Sequence, residues 1–284
     1  MNHNTATTIA YLGPAGTFSE TAAQQLFGKH GNYVPCDSFE IVIAQVEAGK
    51  ASAGVLPIEN SSEGTVYRVL DLLADTSLKI QSEVLLPIHH QLLSMADNLE
   101  DITEVLAHPQ ALDQCRQWLT AHLPQASRRE ASSNAAAAQY AARHTHIAAI
   151  AGAAAAKRYN LPIMAAGIND NPNNTTRFIA VGKTTAVAPA GYDKTSVVCT
   201  IPHQPGSLHT LLGIFAKHGI NLAKLESRPA ESHAWEYLFY IDFEGHAQDP
   251  PVAAALAETE RYSVSYKLLG SYPRAKEIKN NASK

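Results

Sequence analysis

Cysteine is scarce in this chain of 284 residues, which contains three: Cys36, Cys115 and Cys199. They are odd in number and far apart in the sequence. That spacing excludes a disulfide framework and the paired cysteines of a zinc site. We therefore expect reduced thiols, as in cytoplasmic proteins.

Long apolar runs and clusters of positive charge are also missing. No stretch of 18 apolar residues occurs, and the polar first residues lead directly into a predicted strand. We therefore expect neither a signal peptide nor a membrane span. The formal net charge is −4, and no basic run is present that would attract nucleic acid. The prediction is a cytoplasmic protein without membrane or nucleic-acid partners.

The common fingerprints of cofactor and metal chemistry are a third absence. The sequence contains no GxGxxG, Walker A, HExxH or GxSxG motif. Thirteen histidines are present, but none has the spacing of metal ligands. His89 and His90 are adjacent, and adjacent residues on a strand point to opposite faces. We predict neither a metal site nor an organic cofactor.

What the sequence does contain, up to about residue 183, is a repeated alternation of strands and helices. This order is typical of mostly parallel sheets covered by helices, and it occurs twice, as in two lobes with a ligand cleft. We predict a catalytic domain over residues 7–184, with one lobe at about 7–82 plus 168–184 and the other at 83–167. In the second lobe PQALDQCRQWLTAH is predicted as one helix and Ser127–Glu130 as a short link.

The pattern changes after the small-residue segment TTAVAPAGYD, which we interpret as a linker. Strand, helix, two strands, helix and strand follow in that order. This is the βαββαβ order of a ferredoxin-like unit. We predict a second domain over residues 194–271.

The first candidate site is GPAGTFSE, between a predicted strand and helix. Gly13 and Gly16 would let backbone N–H groups approach an anion at the helix N-terminus. The alternative is an ordinary turn in which Thr17 or Ser19 caps the helix.

The second candidate site is LPIENSSEGTV, where small polar side chains follow the end of a strand. Asn60, Ser61 and Ser62 lie where α/β proteins bind ligands, and Gly64 with Thr65 would open the next helix. Capping of that helix is the alternative, and it uses the same geometry as anion binding.

Two further candidate sites lie in ASSNAAAAQYAA and NPNNTTRF. In the first, Ser133 and Asn134 precede an alanine-rich helix whose N-terminus could bind a carboxylate; simple capping is the alternative. In the second, a polar loop brings Thr176 and Arg177 to the start of a strand. Arg177 would bind a carboxylate or form a structural salt bridge.

These groups are hydrogen-bond donors for carboxylates, with no strong general base among them. They suit a reaction that the substrate nearly performs unaided, given orientation, charge placement and weak acid assistance.

At NPNNTTRF, taken together with GPAGTFS, LPIENSSEGTV, HPQAL and SSNAAAA, the sequence resembles the prephenate dehydratase family over about residues 8–183. The region 194–270 resembles an ACT domain, because GSLH (206–209) is similar to the GALH motif of that family and ESRP (226–229) matches as it stands. The resemblance implies two lobes like those of type 2 periplasmic binding proteins. It also implies conversion of prephenate to phenylpyruvate, water and carbon dioxide, with feedback regulation by L-phenylalanine in a homo-oligomer, a dimer or tetramer.

The resemblance also implies a role for particular residues. Thr176 would donate a hydrogen bond to the leaving hydroxyl, and Phe178 would pack beside the site. The catalytic candidates are Thr176, Arg177, Asn60 and Ser61. The substrate-binding candidates are Gly13, Ser19, Ser62, Gly64, Ser133, Asn134 and Phe178. The candidates for binding phenylalanine are Gly206, Ser207, Leu208, His209, Asn221, Glu226, Ser227, Arg228 and Pro229.

Two alternatives stay open on the sequence. An arogenate dehydratase would share these motifs and act on a substrate that keeps an amino group. A non-catalytic, two-lobed anion-binding sensor would need the same donors without a positioned threonine.

Overall fold

The computed structural model describes residues 7–183, 187–229 and 237–276, and these divide into two compact units. The first unit contains residues up to Val66 and Leu85–Phe178; the second contains Tyr67–Val84 and the residues from Ile179 onward. Parts of three sequence predictions lie outside the described residues: the start of the linker at 184–186, Ala230 at the end of one predicted strand, and 235–236 at the start of the next.

Strands and helices are interspersed through residue 182. In chain order they are β1 (Thr8–Leu12), α1 (Phe18–Phe27), β2 (Asn32–Cys36), α2 (Phe39–Glu47), β3 (Ala53–Asn60), β4 (Gly64–Thr65), α3 (Tyr67–Asp75), β5 (Lys79–Pro87), β6 (Gln91–Ser94), β7 (Glu104–Ala107), α4 (Pro109–Gln114), α5 (Arg116–His122), β8 (Ser127–Glu130), α6 (Asn134–Ala141), β9 (Ile147–Ala151), α7 (Ala153–Tyr159), β10 (Ile163–Ala165) and β11 (Thr175–Gly182).

The first unit contains two sheets, one in each lobe. In the first lobe β1 lies between β2 and β3 and is parallel to both, and the first residues of β11 lie beside β3. In the second lobe the strand order is β10-β6-β9-β7-β8, with β7 parallel to both β8 and β9. The predicted α/β fold with two lobes is confirmed for this unit.

Two local predictions for the second lobe are wrong. The single helix predicted after His108 is broken at Cys115, because the Asp170 carboxylate accepts the backbone N–H groups of Gln117 and Trp118 and so begins a new helix, α5. The predicted link at Ser127–Glu130 is strand β8, paired in parallel with β7. All four of its residues are exposed at the edge of the sheet, so the sequence lacks the apolar alternation of a half-buried strand.

The second unit contains the predicted βαββαβ order. Its elements are β12 (Asp193–Thr200), α8 (Ser207–Lys217), β13 (Leu222–Pro229), β14 (Tyr237–Glu244), α9 (Pro250–Tyr262) and β15 (Ser265–Pro273). The antiparallel order β13-β14-β12-β15 is that of a ferredoxin-like domain, with β13 at the edge, and β5 lies beside β15. This part of the predicted fold class is confirmed.

The core of the second unit lies between one face of its sheet and α8. Val197, Ile241 and Phe243 share one face of the sheet and pack against Leu211 and Phe215 of α8. Within the described ranges no helix is long and apolar enough to cross a lipid bilayer.

Candidate active site

A cavity of about 750 Å³ lies in the first unit, at the strand ends that carry the candidate motifs. Its lining includes Asn60 at the end of β3 and Thr176 at the start of β11 from one lobe. The second lobe contributes Ser133 and Asn134, at the start of α6, and Gln114, at the end of α4. The volume and the polar groups suit a small organic molecule rather than a macromolecule.

Asn60 and Thr176 meet in this cavity although 116 residues separate them in the sequence. The Asn60 amide nitrogen donates one hydrogen bond of 2.8 Å to Thr176 Oγ1 and a second of 2.8 Å to Asn174 Oδ1. The Asn60 amide oxygen accepts the backbone N–H groups of Ser62 and Glu63, at 2.9 and 3.1 Å. Because those N–H groups can only donate, the orientation of the Asn60 amide is fixed.

This orientation decides what Thr176 can do. Its hydroxyl oxygen accepts a hydrogen bond from Asn60, so the hydroxyl hydrogen is left to donate elsewhere. Thr176 is 8% exposed and lines the cavity. The geometry therefore presents a fixed O–H donor to whatever occupies the cavity.

The hydrogen-bonded chain continues beyond Asn174. The Asn174 amide nitrogen donates to Gln114 Oε1 at 3.0 Å, and the Gln114 amide nitrogen donates to Glu63 Oε1 at 3.3 Å. An ionised carboxylate can only accept, so Glu63 fixes the Gln114 amide as the backbone N–H groups fix that of Asn60. Both ends of this series of hydrogen-bonded side chains are thus held by the residues that connect β3 to β4.

A buried histidine joins this chain from the side. His90 Nε2 lies 3.0 Å from Gln114 Oε1, and the ring of Phe18 meets the imidazole edge-on at 5.7 Å between centroids. Burial is the main cause that lowers the pKa of His90 from its ordinary value. The ring is therefore neutral near pH 7, with its proton on Nε2, because Gln114 Oε1 can only accept.

The lining of the cavity contains no lysine or arginine among the described residues. Its hydrogen-bond donors are neutral: the hydroxyl of Thr176, side chains such as Ser133 and Asn134, and the N-terminal ends of α1 and α6. One carboxylate, that of Asp37, lies in the lining. An anion bound here would be held by hydrogen bonds and helix dipoles.

The glycines of the first motif do not offer free N–H groups, contrary to the sequence-based interpretation. Gly13 N–H donates to the carbonyl of Cys36 at 2.8 Å, and Gly16 N–H donates to the Glu20 carboxylate at 2.5 Å. Thr17 caps α1, as in the alternative interpretation. Gly13, Gly16 and Ser19 still line the cavity, so this turn forms part of its wall.

The second motif is a hairpin rather than the opening of a helix. Gly64 and Thr65 form β4, which pairs antiparallel with the end of β3, and α3 begins two residues later. Gly64 has a φ of +82°, which favours glycine at this turn. The exposed Ser61, by contrast, accepts the N–H of Thr175 at 2.9 Å, so it links the hairpin to the loop before β11.

Ser61, Ser62 and Gly64 are not among the described residues that line the cavity. The same holds for Arg177, which is buried beside Glu59 with Nη1 3.7 Å from Oε2. Thr176 and Arg177 are consecutive on β11 and point to opposite faces. The structural salt bridge, one of the two interpretations that the sequence allowed for Arg177, is the arrangement found.

The remaining candidates in this unit lie in the lining. Ser133 caps α6 by accepting the N–H of Ala136, and Asn134 accepts the N–H of His108. Phe178 is buried in the cavity wall.

The candidate effector residues divide between two places in the second unit. Ser207 and Leu208, at the start of α8, line a pocket of about 140 Å³ with Tyr237 and Phe239 of β14. The Ser207 hydroxyl is buried without a hydrogen-bond partner among the described residues. Gly206 precedes them in a left-handed conformation, with a φ of +86°. His209 and Asn221 are exposed.

The ESRP motif is split by the alternation of β13. Glu226 and Arg228 point toward α3, where the Tyr67 hydroxyl donates to Glu226 at 3.2 Å and Arg228 pairs with Asp71 at 3.2 Å. Arg228 also stacks over the Tyr67 ring. Ser227 and Pro229 are exposed on the alternate positions.

Sequence reasoning missed Gln114, Asn174, His90 and Glu63 as parts of the site. Gln114 and Asn174 stand in or beside the quoted motifs HPQAL and NPNNTTRF, so their polar character was visible. For His90 the sequence suggests only the role of a metal ligand, and its spacing argues against that role. Only the meeting of four chain segments identifies these side chains as one network.

Sequence models of known protein families match both halves of the chain. The sequence model of the family described as prephenate dehydratase matches residues 9–186, and that of the ACT domain matches residues 195–261.

Relatives and solved structures match over most of the chain. The bifunctional chorismate mutase/prephenate dehydratase of Neisseria gonorrhoeae is 45% identical, covering 94% of this chain and 75% of the relative. Arogenate dehydratase 4, chloroplastic, of Arabidopsis thaliana is 38% identical, covering 95% and 68%. The crystal structure of prephenate dehydratase from Arthrobacter aurescens in complex with L-Phe is 40% identical with a TM-score of 0.88, covering 94% and 90%.

Proposed function

The chain belongs to the prephenate dehydratase family, and we propose that it converts prephenate to phenylpyruvate, carbon dioxide and water. One observation carries this proposal: the Thr176 hydroxyl accepts from Asn60 and keeps its hydrogen for a ligand in the cavity. Dehydration needs such a donor beside the leaving hydroxyl.

The reaction requires little of the protein beyond correct positioning of the substrate. The bond between the ring and its carboxylate breaks, the electron pair moves into the ring, and the hydroxyl leaves as hydroxide, which takes a proton to become water. Aromatisation of the ring drives the process. A hydrogen bond from Thr176 to the departing oxygen stabilises the charge that develops there.

The absence of lysine and arginine from the described lining supports this assignment. The ring carboxylate loses its charge as it becomes carbon dioxide. An ion pair would stabilise that carboxylate more in the substrate than in the transition state, and so would slow the reaction. Neutral donors such as Ser133, Asn134 and Ser19 would hold the two carboxylates with a smaller penalty than an ion pair. Arg177 and Ser61 support the loop and strand that carry Thr176.

We further propose that L-phenylalanine regulates the enzyme by binding at the ACT domain. Support comes from the match to the ACT family and from the pocket beside Ser207 and Leu208. The exposed side of the edge strand β13, with Ser227 and Pro229, would complete the site with a second copy of the chain in a dimer or tetramer. The proposed domain limits are 7–184 and 194–271, and the proposed location is the cytoplasm.

Arogenate is a second candidate substrate, because an arogenate dehydratase is 38% identical to this chain and Asp37 lies in the lining. The Asp37 carboxylate would attract the ammonium group by which arogenate differs from prephenate. Competition between the two substrates decides which has the higher kcat/KM.

The first test follows phenylpyruvate formation from prephenate, with and without L-phenylalanine, against a blank without enzyme. Turnover that phenylalanine suppresses supports both proposals, and turnover without suppression contradicts the regulatory one. Failure to act on either prephenate or arogenate would overturn the catalytic proposal and favour a binding protein.

The variant Thr176→Ala tests whether the Thr176 hydroxyl donates a hydrogen bond in the reaction. We expect kcat to fall by about 10²-fold or more, as for other lost proton-donating groups. Thr175→Ala is the matched control, since Thr175 is adjacent on β11 and is not in the described lining. Unchanged turnover in Thr176→Ala would remove Thr176 from the mechanism.

A further inference from the structure

His90 is buried in the cavity wall, and half of its hydrogen-bonding capacity is unused. The side chain is part of the lining and the residue is 3% exposed. Its Nδ1 has no hydrogen-bond partner among the described residues. Leaving a buried acceptor unpaired costs free energy, so a leucine or phenylalanine would fill this place at lower cost if packing were its only role.

The contact that His90 does make reaches the centre of the site. Its Nε2–H donates to Gln114 Oε1, the same atom that accepts from the Asn174 amide. Asn174 in turn accepts from Asn60, which donates to Thr176. The Asn60 amide is held by the backbone N–H groups of Ser62 and Glu63, so it cannot turn with Asn174. A reversed Asn174 amide would set its nitrogen against the Asn60 nitrogen, two donors in contact, and would displace Asn60 from the Thr176 hydroxyl.

Gln114 is held from two sides. Glu63 accepts from its amide nitrogen at 3.3 Å, in a contact open to solvent, whereas the buried His90 donates to its oxygen at 3.0 Å in a partly buried contact. The partly buried contact is the less exposed to competition from water and therefore the stronger constraint. Without it, the Gln114 amide can rotate and offer nitrogen to Asn174, which would reverse the Asn174 amide.

We propose that His90 is a positioning residue for the dehydration: as the neutral Nε2–H form it fixes Gln114, and through Asn174 and Asn60 it keeps the Thr176 hydroxyl hydrogen turned toward the substrate. The inference rests on the proposed function, because it concerns the same donor. The lowered pKa of His90 supports it, since burial favours the neutral ring that this arrangement uses.

The test compares His90→Leu, which removes the donor, with His90→Gln, which keeps an amide N–H at a similar reach. We expect His90→Leu to lower kcat by about 30-fold with KM within about threefold, in the range of other lost orienting contacts. His90→Gln should recover most of that loss. His89→Leu is the matched control, because His89 is the exposed neighbour.

A second arm separates positioning from a structural role. In the Thr176→Val background, His90→Leu should cause no further loss of kcat, because its effect runs through the missing hydroxyl. Losses that multiply, or a His90→Leu enzyme with the parent's kcat, would overturn the inference. If the parent itself does not turn over prephenate or arogenate, the proposed function fails instead.

The tautomer of His90 is measurable even if the leucine variant does not fold. In parent protein labelled with ¹⁵N-histidine, the His90 signals should report a proton on Nε2 and a bare Nδ1 at neutral pH. The opposite tautomer or a cationic ring at pH 7 would also overturn the inference.

Discussion

The strands β11 and β13 each carry a candidate motif, and the structure treats the two motifs differently. On both strands consecutive residues point to opposite faces: Thr176 faces the cavity while Arg177 faces Glu59, and Ser227 is exposed while Arg228 faces Asp71. A motif of consecutive residues on a strand therefore cannot serve a single site by itself.

The difference lies in what the neighbouring elements supply. Beside β11 lies β3, whose end contributes Asn60, and the loop before β11 contributes Asn174. Both groups of this hydrogen-bonded network beside Thr176 thus come from the same chain. The strand β13 is the last strand of its sheet in the described part of the chain, and its positions Ser227 and Pro229 are exposed. Ser227 and Pro229 are therefore the positions that the proposed effector site between two copies would use.

The largest effect is expected from a variant that interrupts the hydrogen bonds around Thr176. The variant Asn60→Asp keeps the shape of the side chain but replaces the donor to Thr176 with an acceptor. Thr176 would then donate its hydrogen to the introduced carboxylate rather than to the substrate, and we expect kcat to fall by about 10²- to 10³-fold. Steady-state kinetics with prephenate measures this, with the exposed Ser62→Ala as control. A loss of less than tenfold would contradict the orientation that we assign to Thr176.

The next prediction compares the two faces of β13 that carry the ESRP motif. Ser227→Leu changes the exposed side of β13, and we expect the inhibition constant of L-phenylalanine to rise about tenfold, equivalent to ~1.4 kcal/mol, with kcat unchanged. Arg228→Leu changes the side that faces α3. It should alter phenylalanine affinity less and lower the melting temperature, because the pair with Asp71 and the contact with Tyr67 are lost. Equal effects of both variants on inhibition would contradict the two-sided motif.

Sequence reasoning predicted the elements and the cavity better than the side-chain contacts. The alternation of strands and helices was sufficient to predict two lobes and a ferredoxin-like unit, because burial imposes periodicity on the sequence. The strand at Ser127–Glu130 was missed because SRRE has no buried position. The break at Cys115 was missed because it depends on Asp170, which lies far from it in the sequence.

The same limit explains the errors in the site. Glycines in a turn suggest free N–H groups, but the Gly13 N–H donates to Cys36 on the next strand, a tertiary contact that the motif does not contain. The Gly16 N–H donates to Glu20, four residues further on, so that contact is local. Asn60 and Thr176 were named from separate motifs, and nothing in either motif states the 2.8 Å contact between them. Gln114 and His90 become meaningful only when Asn174 is known to lie beside them.

A third prediction concerns Arg177, the residue beside Thr176 on β11. Arg177→Met should leave KM for prephenate within about twofold, because the side chain is not in the described lining. It should reduce the free energy of unfolding by about 1–3 kcal/mol, since Glu59 loses the buried guanidinium that it faces. Chemical denaturation measures the stability and initial rates measure KM. A tenfold rise in KM would restore the interpretation that Arg177 binds a substrate carboxylate.

The smallest expected effect lies in the pH dependence of stability. Burial lowers the pKa of His90 in the folded protein, whereas the unfolded chain keeps an ordinary value of about 6.5. As the pH falls through about 6.5, the unfolded chain takes up a proton on His90 before the folded protein does. The free energy of unfolding is therefore at its full value above that pH and decreases below it.

The variant His90→Gln removes this titration. Between pH 7.5 and 5.5 we expect the melting temperature of the parent to fall further than that of His90→Gln, by about 2 °C. His89→Gln, at the exposed neighbouring position, should follow the parent. Parallel curves for the parent and His90→Gln would mean that His90 titrates alike in the folded and unfolded chains.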